Sequence, residues 1–418
     1  MSTRKKAGIS IPAAALYFAF AAPMYYFVDG GISAGGFGLM YHYLFGIGIV
    51  VLAFFAVLFG DKGSRILQLL KSGAVLSASY IIPLILSCFI WAAEYETTRH
   101  IIAGVFLDVY VLIGLLTAIG TVYLFGEYAP LISCLAMSAA NLAIIAQTAV
   151  SNPSEFMKEL TALVVTFGEN TGSMMKAVEI HDLTFAFGEY LLFALIDRNV
   201  KGRKWIFCLS LLFSVTGLKR IAVIGIILGV VIYWLLKRLP EKAAKTAGLI
   251  ICIVVIVFTL VWITVIHAGF LDILETKFHV DTKGRNLIFR QLNKLFTVSP
   301  FFLGKGIGWS KHMWDTLTGR HVINDAIHNE YVRMYIENGF IGYLIWIFTN
   351  TVMRFLHFDR QSHETGRLFI ALMLYLYATY ATDNTYLYYY TSMALFILTL
   401  AKTVKNTESI TTKERANA

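Results

Sequence analysis

The stretch TAGLIICIVVIVFTLVWITVIH (residues 246–267) decides the fold class of this 418-residue chain. It contains no Asp, Glu, Lys or Arg, and a helix needs about 20 mostly apolar residues to cross a bilayer. The whole chain has the same character: 57% of its residues are hydrophobic and only 15% are charged, whereas soluble domains are about one quarter charged. We therefore predict an all-α polytopic membrane protein.

Further apolar runs on both sides of this stretch bring the predicted number of transmembrane helices to about twelve. The predicted spans are 9–28, 38–59, 74–94, 101–125, 131–150, 182–197, 205–218, 221–236, 246–267, 330–352, 368–383 and 386–403. Most of the 35 Lys and Arg residues then fall in cytoplasmic segments if both termini lie inside, as the positive-inside rule requires. The net charge of +9 is therefore explained mainly by topology.

The domain organisation follows from these spans. We predict a single transmembrane domain over 1–405 and a disordered cytoplasmic tail over 406–418.

Two predicted external segments are longer than the others. Residues 151–180 mix apolar and polar side chains, a pattern typical of a segment lying on the membrane surface. The large loop 268–327, between the ninth and tenth helices, is long enough to carry part of an active site.

Four basic residues on the predicted external side are candidates for binding an anion. Lys219 and Arg220 occupy a tight turn between two short helices, and Arg285 and Arg290 lie on a predicted amphipathic helix within residues 283–294. Arginine grips phosphate oxygens in a bidentate manner, so the four residues suggest a phosphate-bearing substrate. The alternative for the pair in the turn is snorkelling to lipid phosphates.

Neither a cofactor nor a metal is predicted. The four cysteines lie singly in apolar runs without a CxxC partner, which argues against disulfides and zinc. Gly304, Gly306 and Gly308 alternate along the large loop, but they lack the βαβ context of a dinucleotide site. They predict either a loop whose backbone approaches a substrate or headgroup, or a plain turn.

The strongest motif is IHNEYVRMYIENGFIGYLIW (residues 327–346). Asn324 or Asp325 is predicted to cap a helix that starts near His328. A helix N-terminus favours the neutral imidazole that a general base needs, so His328 is the candidate catalytic residue. The alternative is a histidine that only hydrogen-bonds a loop carbonyl.

The helical repeat assigns the other residues of this motif to faces. One face is predicted to hold Tyr331, Tyr335, Gly339 and Gly342 together with His328. The two glycines are expected to let a neighbouring helix approach closely, and His328 with Tyr331 is expected to point into an external cavity. Glu337 falls on the opposite face, where we expect a packing or ion-pair residue.

Taken in order, these motifs resemble those of the O-antigen ligase and polysaccharide polymerase superfamily of bacterial membrane glycosyltransferases. The run from His328 is similar to the superfamily signature H-N-x-[YF]-(x)5-E-x-G-x-x-G, which falls here on His328, Asn329, Tyr331, Glu337, Gly339 and Gly342. Arg220 resembles the family's external arginine, Arg285 with Phe289 its R-x-x-x-[W/F] helix, and the alternating glycines its G-x-G stretch. The resemblance covers part of the C-terminal half. Lys219 and Phe289 depart from the commoner residues.

The resemblance implies a GT-C-like fold and a metal-independent inverting transfer of a glycan from a polyprenyl (undecaprenyl) diphosphate. His328 would deprotonate the acceptor hydroxyl, while Arg220, Lys219, Arg285 and Arg290 would stabilise the leaving diphosphate. The implied partners are the lipid-linked glycan, a glycan acceptor, membrane lipids and other polysaccharide-export proteins, with no nucleic acid.

Three functions are compatible with the sequence. The first is polymerisation of repeat units into a capsular, exo- or O-antigen polysaccharide on the outer face of the bacterial cytoplasmic membrane. The second is transfer of a finished glycan to a lipid or other acceptor by a ligase. The third is secondary transport, for which Asp108, Asn141 and Glu189 are candidate midplane residues.

Overall fold

The computed structural model describes residues 11–27, 38–60, 63–94, 98–165, 181–217, 219–279, 285–310, 327–383, 385–386 and 388–417. Within these ranges every regular element is helical and no strand occurs, so the predicted all-α class is confirmed. Helices satisfy every backbone hydrogen bond within one segment, which a bilayer requires.

The α-helices are numbered here in chain order. They are α1 (Ile11–Tyr26), α2 (Gly38–Leu58), α3 (Gly63–Glu94), α4 (Thr98–Phe125), α5 (Ala129–Ser151), α6 (Pro153–Val165), α7 (His181–Ile196), α8 (Arg203–Gly217), α9 (Arg220–Arg238), α10 (Glu241–His267), α11 (Phe270–Phe278), α12 (Arg285–Leu292), α13 (Glu330–Phe348), α14 (Arg354–Gln361), α15 (His363–Tyr380) and α16 (Tyr389–Asn417). A 3₁₀ turn, Gly126–Tyr128, precedes α5, and a π-helical turn, Thr349–Met353, joins α13 to α14.

Six helical segments in the described part of the chain are long and apolar enough to cross a membrane. They are Tyr41–Leu58, Gly63–Ala93, Val109–Ser151, Arg220–Arg238, Glu241–His267 and Glu330–Gln361. Two shorter apolar helices cover Ile11–Tyr26 and Leu183–Ile196. The chain is therefore a membrane protein. The count of about twelve spans, the sidedness of the termini and the external position of the large loop stay predictions.

The chain divides into two compact units. Unit 1 comprises Met1–Gly73, Ile113–Ile226 and Tyr389–Ala418, and unit 2 comprises Ala74–Leu112 and Ile227–Tyr388. Each unit is assembled from segments that are distant in sequence. The single transmembrane domain over 1–405 stays a prediction.

In unit 1, α7 packs against α8 and α16, and α1 packs against α2 and α5. A buried ion pair joins α16 to the end of α7: Lys402 Nζ lies 2.6 Å from Asp197 Oδ2. Removing either charge would leave the other buried and unpaired, which costs far more than the pair itself contributes. The ion pair therefore fixes the register of α16 on α7.

The last helix extends further than the sequence indicates. We predicted a disordered tail over 406–418, but α16 continues to Asn417, so that prediction is wrong for the backbone of this segment. The first part of α16, up to Val404, is buried and provides the costly helical nucleus. No Gly or Pro follows to end the helix, so each further residue adds to it at little cost.

In unit 2, α10 packs against α13, α14 and α15, and α14 and α15 form a hairpin. Ser362 caps α15, since its hydroxyl accepts a hydrogen bond from the Glu364 N–H at 3.2 Å. The buried Arg354 donates to the Leu76 carbonyl of α3 at 2.6 Å. This bond anchors the start of α14 beside the π-helical turn.

Helix α13 is not straight, because it folds back at Gly339. This residue has φ 68° and ψ −175°, far from helical values. The rings of Tyr331 and Trp346 both lie within 6.4 Å of the Tyr377 ring, although their positions would be about 22 Å apart along a straight helix. The halves 330–338 and 340–348 are thus packed against each other.

The predicted span 330–352 lies within the membrane-long segment Glu330–Gln361, and the bend at Gly339 divides it. The second half of α13 continues through the π-helical turn into α14, and residues 340–361 alone are about 33 Å long, enough to cross a bilayer core of about 30 Å. The first half, which carries the histidine motif, is a separate half-helix. The hydropathy of the segment does not reveal such a break, because hydropathy depends on composition and the break depends on the backbone angles of one glycine.

Candidate functional site

His328 lies immediately before α13 rather than in its first turn. The residue that caps the helix is Asn329, whose side chain accepts a hydrogen bond from the Val332 N–H at 3.1 Å. The predicted caps, Asn324 and Asp325, lie outside the described residues, and the assignment of the cap to either of them is wrong. His328 has φ 51°, a left-handed conformation that costs a non-glycine residue about 1–3 kcal/mol.

The turn after α15 supplies the acidic partner of His328. His328 Nδ1 lies 3.7 Å from Asp383 Oδ1, and the histidine side chain is 31% exposed whereas the aspartate is buried. The same Asp383 oxygen accepts a hydrogen bond from the Tyr388 hydroxyl at 2.7 Å. Asn329 Nδ2 donates to the Ala381 carbonyl at 3.2 Å. The carboxylate is therefore held in place beside the imidazole.

Sequence reasoning missed Asp383, because nothing in the sequence shows that the turn between the last two apolar runs meets the histidine. One signal was available, since an acidic side chain beside membrane helices is costly and is therefore a functional candidate.

A buried ionic network involves the first half of α13. Arg333 donates to Glu330 at 2.6 Å and to Glu337 at 2.8 Å, and Ser310 donates to the second oxygen of Glu337. The Arg333 guanidinium also lies over the Tyr386 ring, 5.8 Å from its centre. The predicted ion-pair role of Glu337 is thus confirmed. Buried charges persist only when paired, so the network fixes this half-helix.

The two tyrosines of the motif are core residues. Tyr331 is fully buried and its hydroxyl donates to the Tyr377 carbonyl, so the prediction that it points into a cavity with His328 is wrong. Tyr335 is also fully buried, and its hydroxyl accepts from the Ser299 N–H at 3.0 Å. Aromatic side chains with satisfied hydroxyls pack well in an apolar interior.

The glycine-rich loop joins the break in α13. The Lys305 N–H donates to the Ile336 carbonyl at 3.0 Å, and the Phe340 N–H donates to the Phe302 carbonyl at 2.8 Å. A Cβ at Gly304 would overlap the Gly339 amide nitrogen. These bonds satisfy backbone groups that the break frees inside the protein. Gly304 therefore approaches protein backbone, and a Cβ at Gly306 would overlap the Trp91 side chain. The predicted approach of this loop to a substrate or headgroup stays a prediction.

Gly342 differs from Gly339, although the motif contains both. It is helical, and a Cβ there would lie 3.5 Å from Leu86 of α3. The predicted close approach of a neighbouring helix therefore applies to Gly342, while Gly339 is needed for its backbone conformation.

Two of the candidate cationic residues belong to unit 1. Helix α8 ends at Gly217 and α9 begins at Arg220, which confirms the predicted tight turn. Arg220 is exposed and Lys219 is half-buried. The Lys219 carbonyl accepts the first hydrogen bonds of α9, from Ala222 and Val223 at 2.9 and 3.2 Å. His328 belongs to unit 2.

The other two arginines lie on α12 in unit 2, on the short helix that the sequence predicts. Arg285 is its first residue, and the side chain of Arg285 lies outside the described part. Arg290 is exposed, and its Nε lies 2.8 Å from Asp272 Oδ1 of α11. Phe289 and Leu292 are buried beneath the helix. The structure thus shows Arg290 bridging two short helices.

The fold and site define a helical membrane protein in which a partly exposed histidine, paired with a buried aspartate, precedes a bent helix. Residues 205–347 match the family model described as O-antigen ligase. The matched segment includes Arg220, α12 and the histidine motif, so the predicted resemblance is confirmed there. It supports a membrane glycosyltransferase of the O-antigen ligase or polymerase type. No curated protein and no solved structure matches the chain.

Proposed function

We propose that this protein is a bacterial glycosyltransferase that joins polyprenyl-diphosphate-linked repeat units into a surface polysaccharide. The observation that carries the proposal is the His328–Asp383 pair at the start of the motif-bearing helix. His328 lies within the segment 205–347 that matches the O-antigen ligase family model, and Asp383 lies beyond its end. Such a pair is suited to proton transfer from a hydroxyl.

In this proposal His328 is the general base. Its Nδ1 is buried beside Asp383, which leaves Nε2 as the nitrogen that faces the acceptor. Nε2 takes the proton from the acceptor hydroxyl, the oxygen attacks the anomeric carbon, and the bond from that carbon to the diphosphate breaks with inversion. Asp383 orients the ring and stabilises the imidazolium. The 3.7 Å separation is longer than a hydrogen bond, and such contacts tighten when substrate binds.

The departing diphosphate needs positive charge, which we assign to Arg220, Lys219 and Arg285. Arginine binds phosphate oxygens through two parallel N–H groups, and these side chains supply the charge without a metal ion. Arg290 is the weakest of the four candidates because Asp272 already neutralises it. We propose that Arg290 instead holds α12 so that Arg285 is presented.

Contacts within each unit support the proposed topology. Lys201 Nζ lies 3.6 Å from Glu127 Oε1 in unit 1, and His363 Nε2 lies 3.5 Å from Glu241 Oε2 in unit 2. All four residues fall in segments predicted to be cytoplasmic. Segments that meet in this way belong on one side of the membrane, and the positive-inside rule assigns that side to the cytoplasm. By the same rule both termini are proposed to be cytoplasmic and the site to open outward.

Polymerase activity is proposed over ligase activity because the two long external segments, 151–180 and 268–327, can hold two lipid-linked substrates. The glycans of a deletion strain test this choice. Loss of a polymerase leaves single repeat units, whereas loss of a ligase leaves long chains on the lipid carrier.

The proposed base is tested by measuring polysaccharide made by membranes that carry His328→Ala. We expect loss of synthesis, and Arg220→Ala should have the same effect through the leaving group. His363→Ala is the matched control, because this histidine is 36% exposed and also pairs with carboxylates. Full synthesis by the His328→Ala protein would refute the assignment.

A further inference from the structure

The loop between α12 and Gly304 displays two large apolar side chains. Phe301 is 89% exposed and Leu303 is 78% exposed. They follow Pro300 in the run VSPFFLG (residues 298–304), and Val298 is also exposed. Apolar side chains that project together from a surface mark a place where a protein or a membrane is contacted.

This display is built on a rigid turn. The Phe302 N–H donates to the Ser299 carbonyl at 3.1 Å and the Phe301 N–H to the Ser299 hydroxyl at 3.2 Å, with Pro300 presetting the first corner. The Phe302 ring stacks on Tyr335 at 5.5 Å. Phe302 is therefore held inside while Phe301 is held outside.

Contacts with α10 place this turn near a membrane boundary. The uncharged run 246–267 of α10 is about 33 Å long, which matches a bilayer core of about 30 Å. Its last residue is His267. Asn293 Nδ2 donates to the His267 carbonyl at 3.0 Å, the Phe296 ring lies 4.8 Å from the His267 ring, and the Phe302 ring lies 6.4 Å from that of Phe296.

The lipid-facing surface of α10 leads up to the same level. Val254, Val257, Phe258 and Val261 are all more than half exposed, as expected for side chains that contact acyl chains. The turn is thus next to the end of a surface that lipid covers, and bilayer lipid is the occupant that this continuity indicates.

We propose that Phe301 and Leu303 insert into the leaflet at which α10 ends and anchor the loop to the membrane. The anchor is attached directly to the bend of α13, since the Phe302 carbonyl accepts from Phe340 and Gly304 abuts Gly339. The depth of the turn in the leaflet then sets the position of the bend relative to the membrane. This proposal does not depend on the glycosyltransferase proposal.

Photo-crosslinking in native membranes tests the anchor. Phe301 is replaced by the photoreactive residue p-benzoylphenylalanine and the membranes are irradiated. The mass of the protein and its adducts is then measured by mass spectrometry. Phe258 of α10 is the positive control position, and the exposed Gln291 of α12 is the polar control position. We expect adducts with the mass of a phospholipid at 301 and 258, and at least tenfold fewer at 291.

Two results would overturn the proposal. One is the absence of phospholipid adducts at 301 when 258 gives them, which would place the turn in water. The other is a crosslink from 301 to a protein, whether a second copy of this chain or another polypeptide. Because the readout is the mass of the adduct, it is unaffected by any loss of catalysis.

Discussion

Replacing Gly339 by alanine should damage this protein far more than replacing Gly342. The backbone of Gly339, with φ 68° and ψ −175°, lies in a region almost reserved for glycine, and another residue there costs about 1–3 kcal/mol. A Cβ would also overlap the carbonyl group of Leu303. Relieving that overlap breaks the 2.8 Å bond between Phe340 and Phe302, worth about 1 kcal/mol. We therefore expect Gly339→Ala to cost at least about 3 kcal/mol.

Gly342→Ala is the matched control. Gly342 is helical, and its Cβ would meet Asn338 at 3.0 Å and Leu86 at 3.5 Å. The higher helix propensity of alanine, about 1 kcal/mol, offsets this crowding, so we expect a net change of less than about 1 kcal/mol.

The difference in stability between the two variants is measured by heating the purified proteins in detergent. Unfolding is monitored as the loss of monodisperse protein. For a cooperative unit of 150–250 residues, about 3 kcal/mol corresponds to roughly 6–12 °C. Gly339→Ala should also reduce synthesis about 100-fold even where it folds, because His328 is carried on the half-helix that Gly339 positions and small misplacements are costly. Equal shifts for the two alanine variants would show that the bend is not required.

Three further predictions concern individual side chains. Arg333→Met should lower the free energy of unfolding by about 3–5 kcal/mol, because Glu330 and Glu337 lose their shared partner. Replacing both glutamates by glutamine in the same protein should restore most of this loss. If stability does not recover, the three residues do not act as a network. Asp383→Asn should lower kcat about 10²–10⁴-fold with little change in KM, measured with membranes and lipid-linked substrate; an unchanged kcat would remove the residue from the mechanism. Arg290→Ala should change the free energy of unfolding by less than about 1 kcal/mol, since the ion pair of Arg290 is exposed. The variant should keep at least half of the activity. Complete inactivation would instead show that Arg290 binds the diphosphate.

Much of the candidate site was predictable because it is encoded locally. The sequence indicates a helix that starts near His328 and an ion-pair residue at Glu337, and the structure agrees on both. It places the cap at Asn329, not at Asn324 or Asp325. The tight turn before Arg220 and the short helix of Arg290 were also predictable, since turns and short amphipathic helices depend on near neighbours in sequence.

The rest depends on contacts between distant segments. Asp383 approaches His328 only because the turn after α15 returns to the start of α13. Arg333 carries no signal as an organising residue, since its importance comes from burial. The bend at Gly339 is hidden because helical periodicity cannot distinguish a glycine that permits close packing from one that bends the helix.

The sequence by itself determined that this is an all-α membrane protein and that the motifs from Arg220 to Gly342 resemble those of the O-antigen ligase family, because hydropathy and motif spacing are properties of short stretches of chain. The match of residues 205–347 to the family model agrees with this resemblance. Only the tertiary structure decided that the histidine has an aspartate partner, that Arg333 stabilises the half-helix, and that the glycine-rich loop contacts the break in α13. These features depend on backbone and charge interactions between segments that are distant in sequence. Folding removes these groups from water, and each group must then be paired with another part of the protein.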